Sequence, residues 1–125
     1  MFDFLARVHV PGPNLTPWVV SQCAAPPPET LDPVCAELAE RLSVTSRKLA
    51  EAYDFTGHPW VPGERPGLEA ECDARVARSY GLTRDQYDRL FDHFEVMARV
   101  ERGRYGEERT RRLCLEAFDR LEQEG

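Results

Sequence analysis

Apolar residues recur along most of this chain at the three- and four-residue spacing that gathers them on one side of an α-helix. Val34, Leu38 and Leu42 predict a helix capped by Thr30, with Asp32 and Pro33 in its first turn, that ends near Ser43. A second helix begins at Thr45, turns Leu49, Ala50 and Tyr53 inward, and stops near Gly57. A third runs from Pro66 to about Tyr80 on the stripe Leu68, Cys72, Val76 and Tyr80, and Gly81 ends it. Thr83 and Gln86 form a capping-box pair in front of the apolar face Tyr87, Leu90, Phe91 and Phe94, which makes this the best-specified helix of the chain. Residues 96–104 form a looser segment, and after Tyr105-Gly106 a last helix over 107–121 turns Leu113, Cys114, Ala117, Phe118 and Leu121 inward.

The first thirty positions follow a different rule. Phe2, Phe4, Ala6, Val8 and Val10 alternate with Arg7 and His9, the period-2 pattern of a half-buried strand. Pro11-Gly12-Pro13-Asn14 then breaks the chain, Thr16-Pro17 opens a short helix to about Gln22, and Pro26-Pro27-Pro28 forms an extended connector. A second loop, His58-Pro59-Trp60-Val61-Pro62-Gly63, is denied helix by its prolines and carries Trp60 as an expected aromatic anchor. The expected fold is therefore mainly α. A small helical domain of about five helices, residues 30–125, follows a short N-terminal strand and a proline-rich connector within residues 1–29.

A chain of 125 residues is long enough for one modest core and too short for a core plus a cofactor-binding domain. It has no run of about 18 apolar residues and no basic-then-apolar leader, so no membrane is expected and the anticipated location is cytoplasmic. Cys23, Cys35, Cys72 and Cys114 lie far apart without a C-x-x-C pair, and Cys72 and Cys114 fall at apolar helix positions, so buried thiols are expected rather than a metal site.

None of the eight glycines forms a nucleotide-cradling loop, and His9, His58 and His93 have no nucleophile at a suggestive spacing. Acid pairs such as Glu71 with Asp73 sit where helices turn outward and need no catalytic explanation. The chain is thus expected to carry no catalytic residue, cofactor or metal of its own. Its net charge of −6 argues against an electrostatic grip on nucleic acid over the whole surface. One region departs from that balance: Arg99, Arg102, Arg104, Arg109, Arg111 and Arg112 stand against Glu101, Glu107 and Glu108. Two readings are open there, salt bridges pairing Glu107 with Arg111 and Glu108 with Arg112, or a face turned to phosphates.

The order of segments resembles the C-terminal part of adenine-specific DNA methyltransferases of type IIG restriction-modification and of BREX- and DISARM-like phage-defence systems. Ala6-Arg7, Gly12, Asn14-Leu15 and Pro26-Pro27-Pro28 resemble the end of that family's target-recognition region. Leu42, Thr45, Ser46 and Leu49, then Pro59-Trp60 and Glu64-Arg65, resemble its next segment. Leu68, Glu71, Asp73-Ala74 and Tyr80-Gly81-Leu82-Thr83 are similar to its Asp-Ala and Tyr-Gly-Leu pattern, continued by Arg84, Tyr87, Leu90 and Phe94. Tyr105-Gly106, Arg109-Thr110, Arg112-Leu113 and Leu115-Glu116-Ala117 resemble its closing helix. Pro11, Pro13 and Pro17 depart from it.

The family's glycine-rich cofactor motif and its Asn-Pro-Pro-aromatic catalytic motif, which holds a flipped adenine, are missing from this sequence. The resemblance therefore implies a non-catalytic DNA-recognition or scaffold module. It would act with a separate methyltransferase or other defence-system subunit, as half of a split enzyme, or descend from a truncated one. On that reading Arg7, His9 and Asn14 would face double-stranded DNA and Arg99, Arg102 and Arg104 would contact phosphates. The alternative is a helical protein-interaction or regulatory module without DNA contact, favoured by the acidic net charge.

Overall fold

The computed structural model describes Ser21 and residues 23–125. The expected N-terminal strand, the break around Gly12, and all but Ser21 of the short helix before the connector lie outside these residues. Among the described residues the chain is helical, as the spacing of its apolar positions predicts. Six α-helices follow in order: α1 (Val34–Ser43), α2 (Arg47–Tyr53), α3 (Arg65–Ser79), α4 (Arg84–Leu90), α5 (Glu95–Tyr105) and α6 (Arg109–Glu124). Single 3-10 turns stand at Pro28–Thr30 and Phe91–His93.

The centre of the molecule is the packing of α3 against α6. Ala70, Ala74 and Ala77 put only methyl groups on the inner side of α3, so the two helix backbones approach closely. Cys114, Ala117, Phe118 and Leu121, spaced i, i+3, i+4 and i+7 on α6, cover that stripe. The inner face of α3 is thus the alanine stripe and not Leu68, Cys72, Val76 and Tyr80, which end half-buried on its flank. Periodicity favoured the larger side chains, whereas the tight crossing has room only for the smaller ones.

Tyr87 of α4 fills the end of this interface. Its ring lies 5.3 Å from those of both Phe91 and Phe118, and its buried hydroxyl donates to Asp73 Oδ2 at 2.7 Å. The expected capping box holds α4 in place: the Thr83 hydroxyl accepts from the Gln86 N–H, and Gln86 Oε1 accepts from the Thr83 N–H. Gly81 does end the preceding helix, with φ of 73° in the left-handed region that side chains with a Cβ avoid.

On the other side of α3, α1 contributes buried Cys35 and Leu38. Its start differs from expectation. The Thr30 hydroxyl donates back to Pro27 O at 2.8 Å within the 3-10 turn, and Asp32 Oδ1 takes the cap role by accepting from the Val34 N–H. Arg75 then bridges Asp32 to Glu71 and fastens α1 to α3. α2 begins two residues later than expected, at Arg47, with Ser46 as the cap that accepts from the Leu49 N–H.

Residues 96–104, expected to be loose, belong to the regular helix α5. The segment has no proline, is rich in residues of good helix propensity, and ends at Gly106 with φ of 75°.

Candidate interaction surface

Two parts of the surface depart from an ordinary polar exterior. The first is α2 with the loop behind it. Leu49 and Tyr53, expected inside, are instead 41% and 68% exposed, and no residue of α2 is buried. They share one stripe of α2, one turn apart, but no described element packs over them. Phe55, Trp60 and Val61 follow in the loop and are exposed as well.

The backbone of this region is nevertheless held. Asp54 closes α2 with φ of 55°, the Phe55 N–H donates to Ala50 O, and the His58 N–H donates to Val44 O. His58 Nε2 lies 3.2 Å from Glu40 Oε1, which ties the loop to α1. Trp60 is therefore not a core anchor. Its ring carries the Arg65 guanidinium 3.9 Å above its centre, while Arg65 Nη1 donates to Leu42 O at the end of α1. This spacing of exposed aromatics had no signature of its own in the sequence, because Leu49 and Tyr53 fit the inward face of an amphipathic helix equally well.

The second region is the arginine-rich end. Of the residues expected to meet DNA, Arg7, His9 and Asn14 lie outside the described residues. Arg99, Arg102 and Arg104 all stand on α5, but not on one face. At about 100° per residue Arg102 and Arg104 point to nearly opposite sides of the helix.

Arg102 pairs with Glu108 at 3.1 Å, and the Arg104 guanidinium sits 5.4 Å from the Tyr105 ring centre. Arg99 makes no ion pair among the described residues. Arg109 lies over the other side of the helix junction with its guanidinium 3.9 Å from the Tyr105 ring.

Arg111 and Arg112 are salt-bridged, but neither to the i, i+4 partner expected, Glu107 for Arg111 and Glu108 for Arg112. Arg111 donates to Asp88 at 2.7 Å and Asp92 at 3.0 Å, tying α6 to α4 and the turn after it. The hydrogen bonds of that contact outweigh the opposing effect of burial, holding the Asp88 carboxyl below its usual range and the Arg111 guanidinium above its own. Arg112 grips Glu107 through two nitrogens and reaches Glu116 at 3.0 Å.

The buried thiols are not poised as nucleophiles. Burial pushes the Cys35 and Cys114 thiols up to about 11, so both stay protonated at neutral pH. Cys72, expected to be buried, is only half-buried at the edge of the α1–α3 contact, where burial again raises its thiol. Among the described residues no three His, Cys, Asp or Glu side chains come together as a metal site, and no helix is long and apolar enough to cross a membrane.

Compared with models of known families, with curated proteins and with solved structures, the chain matches none.

Proposed function

We propose that this chain is a helical protein-interaction module that works by docking to another polypeptide through α2 and the loop after it. One observation carries the reading: Leu49, Tyr53, Phe55, Trp60 and Val61 are all exposed within one short stretch of chain whose backbone is pinned by hydrogen bonds. Large aromatics beside arginine are the residues enriched where proteins meet, and a fixed backbone lowers the ordering cost of binding. The resemblance to restriction-modification methyltransferases supplies the class of partner, a catalytic subunit of such a system.

A DNA-facing role is the second reading, supported by Arg99 and Arg104, which have no carboxylate partner among the described residues. It has fewer cations at its disposal than the sequence promises, since Arg102, Arg111 and Arg112 are engaged with Glu108, Asp88, Glu107 and Glu116.

The test is capture with the purified chain, identification of the bound protein, and titration of that protein against wild type and the Tyr53→Ser/Trp60→Ala variant. The expected result is a complex that persists at high salt and weakens about a hundredfold in the variant, a loss typical of two central aromatic anchors. Duplex binding in a low-salt mobility shift, with no protein complex formed, would replace this reading with the second one.

A further inference from the structure

The outer side of α5 is a different surface from the α2 loop. Helical geometry of about 100° per residue places Val96, Val100 and Gly103 within one arc, with Arg99 on one border and Arg104 on the other. The opposite side carries Ala98 and Glu101, the only buried residues of this helix, together with half-buried Met97.

Val96 and Val100 are 65% and 57% exposed, one turn apart. No glutamate or aspartate lies between the two arginines on that arc; the carboxylates of α5 are Glu95, beyond Arg99, and Glu101, turned inward. Elsewhere in this region Arg102 meets Glu108, Arg111 meets Asp88 and Arg112 meets Glu107, while Arg109 lies over the Tyr105 ring. An apolar strip bordered by two arginines that form no ion pair among the described residues thus lies on the outer arc of α5.

From this arrangement we infer that the outer face of α5 docks an acidic amphipathic helix of a partner protein. The valines would meet its apolar stripe, and Arg99 and Arg104 the carboxylates on its two borders. Two features favour a peptide over nucleic acid. The centre of the strip is branched aliphatic surface, which gains by excluding water against another apolar stripe and gains nothing against a phosphate backbone. The two cations also stand astride that strip, where a helix carrying acids on both sides of its apolar face satisfies them together. Gly103, with nothing within 4 Å of where a Cβ would stand, leaves the strip low at its C-terminal end, so a partner helix can approach closely there.

The probe is a fluorescein-labelled synthetic helix with leucines at i, i+3, i+4 and i+7 and glutamates on both borders of that stripe. Its scrambled isomer and a labelled DNA duplex serve as comparisons, and anisotropy is read against the full chain. Saturable binding of the amphipathic peptide is expected, at least about tenfold tighter than the scrambled isomer or the duplex. It should fall about tenfold or more in Val100→Asp, and as far in Arg99→Gln/Arg104→Gln, while Trp60→Ala leaves it unchanged. All these positions are on the exterior, and thermal melts check that each variant folds. The inference is overturned by absence of saturable peptide binding at low salt, by equal binding to Val100→Asp, or by loss of binding in Trp60→Ala. Duplex binding that needs the two arginines but ignores Val100→Asp overturns it in favour of a phosphate site.

Discussion

The buried carboxylate of Glu101 reaches from α5 to the start of α6, where it accepts the backbone N–H of Thr110 at 2.9 Å and, through its other oxygen, the Thr110 hydroxyl. The first N–H groups of a helix have no partner inside it, and Glu108 at the N-cap makes no side-chain cap. A distant glutamate therefore does the work of a local cap, and its negative charge also suits the positive end of the helix dipole.

Removing that carboxylate strands a partly buried donor, so Glu101→Ala is expected to lower stability by about 1–3 kcal/mol. Thr110→Val keeps the backbone bond and loses only the hydroxyl contact, at a cost of about 1 kcal/mol. Urea midpoints measure both, and a Glu101→Ala protein as stable as wild type would refute the cap.

Tyr87 is 1% exposed, with its hydroxyl on Asp73 and its ring between Phe91 and Phe118. Tyr87→Phe separates the two contributions. The ring packing survives and the hydrogen bond is lost, for an expected cost of about 1–2 kcal/mol against about 3–5 kcal/mol for Tyr87→Ala. Equal costs in chemical denaturation would mean that the hydroxyl bond carries nearly all of the effect.

Stability should fall in acid through the aspartates that hold helices together. At Asp88 the Arg111 hydrogen bond outweighs burial; at Asp32 burial pushes upward but the Val34 N–H and Arg75 together win, so both carboxyls titrate below their ordinary value of 3.8. The folded state thus binds fewer protons than the unfolded chain, and the stabilisation is present above about pH 4 and lost as pH drops through the folded values. Asp88→Asn is expected to be less stable than wild type at pH 7 by about 0.5–1 kcal/mol, with the difference shrinking below pH 4. A difference that stays constant from pH 7 to pH 2.5 would show that the pair contributes nothing.

Gly103 and Gly106 should respond to alanine with opposite signs. Gly103 is inside α5 with open space at its Cβ position, so Gly103→Ala is expected to stabilise by about 0.5–1 kcal/mol. Gly106 ends α5 at φ of 75°, and Gly106→Ala is expected to destabilise by about 1 kcal/mol although nothing crowds it. Thermal melts decide, and a shift of the same sign at both positions would contradict the assignment.

Much of the helical order is legible in the spacing of residues along the chain. The Thr83–Gln86 box, the stop at Gly81 and the inward face of α6 depend on residues a few positions apart, and local geometry is shared by every chain with that spacing. The arginine-rich region was legible only as a composition. Which of its members stay free was set by Asp88 and Asp92, about twenty residues from Arg111 in sequence, and by Glu108 across the turn from Arg102.

By itself, then, the sequence determined several helix boundaries, the start at Thr83 and the stop at Gly81 among them, because capping, propensity and glycine's freedom at positive φ act within a turn or two of chain. Only the tertiary structure decided which faces α2 and α3 bury. The α3–α6 crossing selected Ala70, Ala74 and Ala77 over their larger neighbours, and no described element arrived to cover Leu49 and Tyr53. Burial depends on what a distant part of the chain brings alongside, and periodicity along one helix carries no record of that partner.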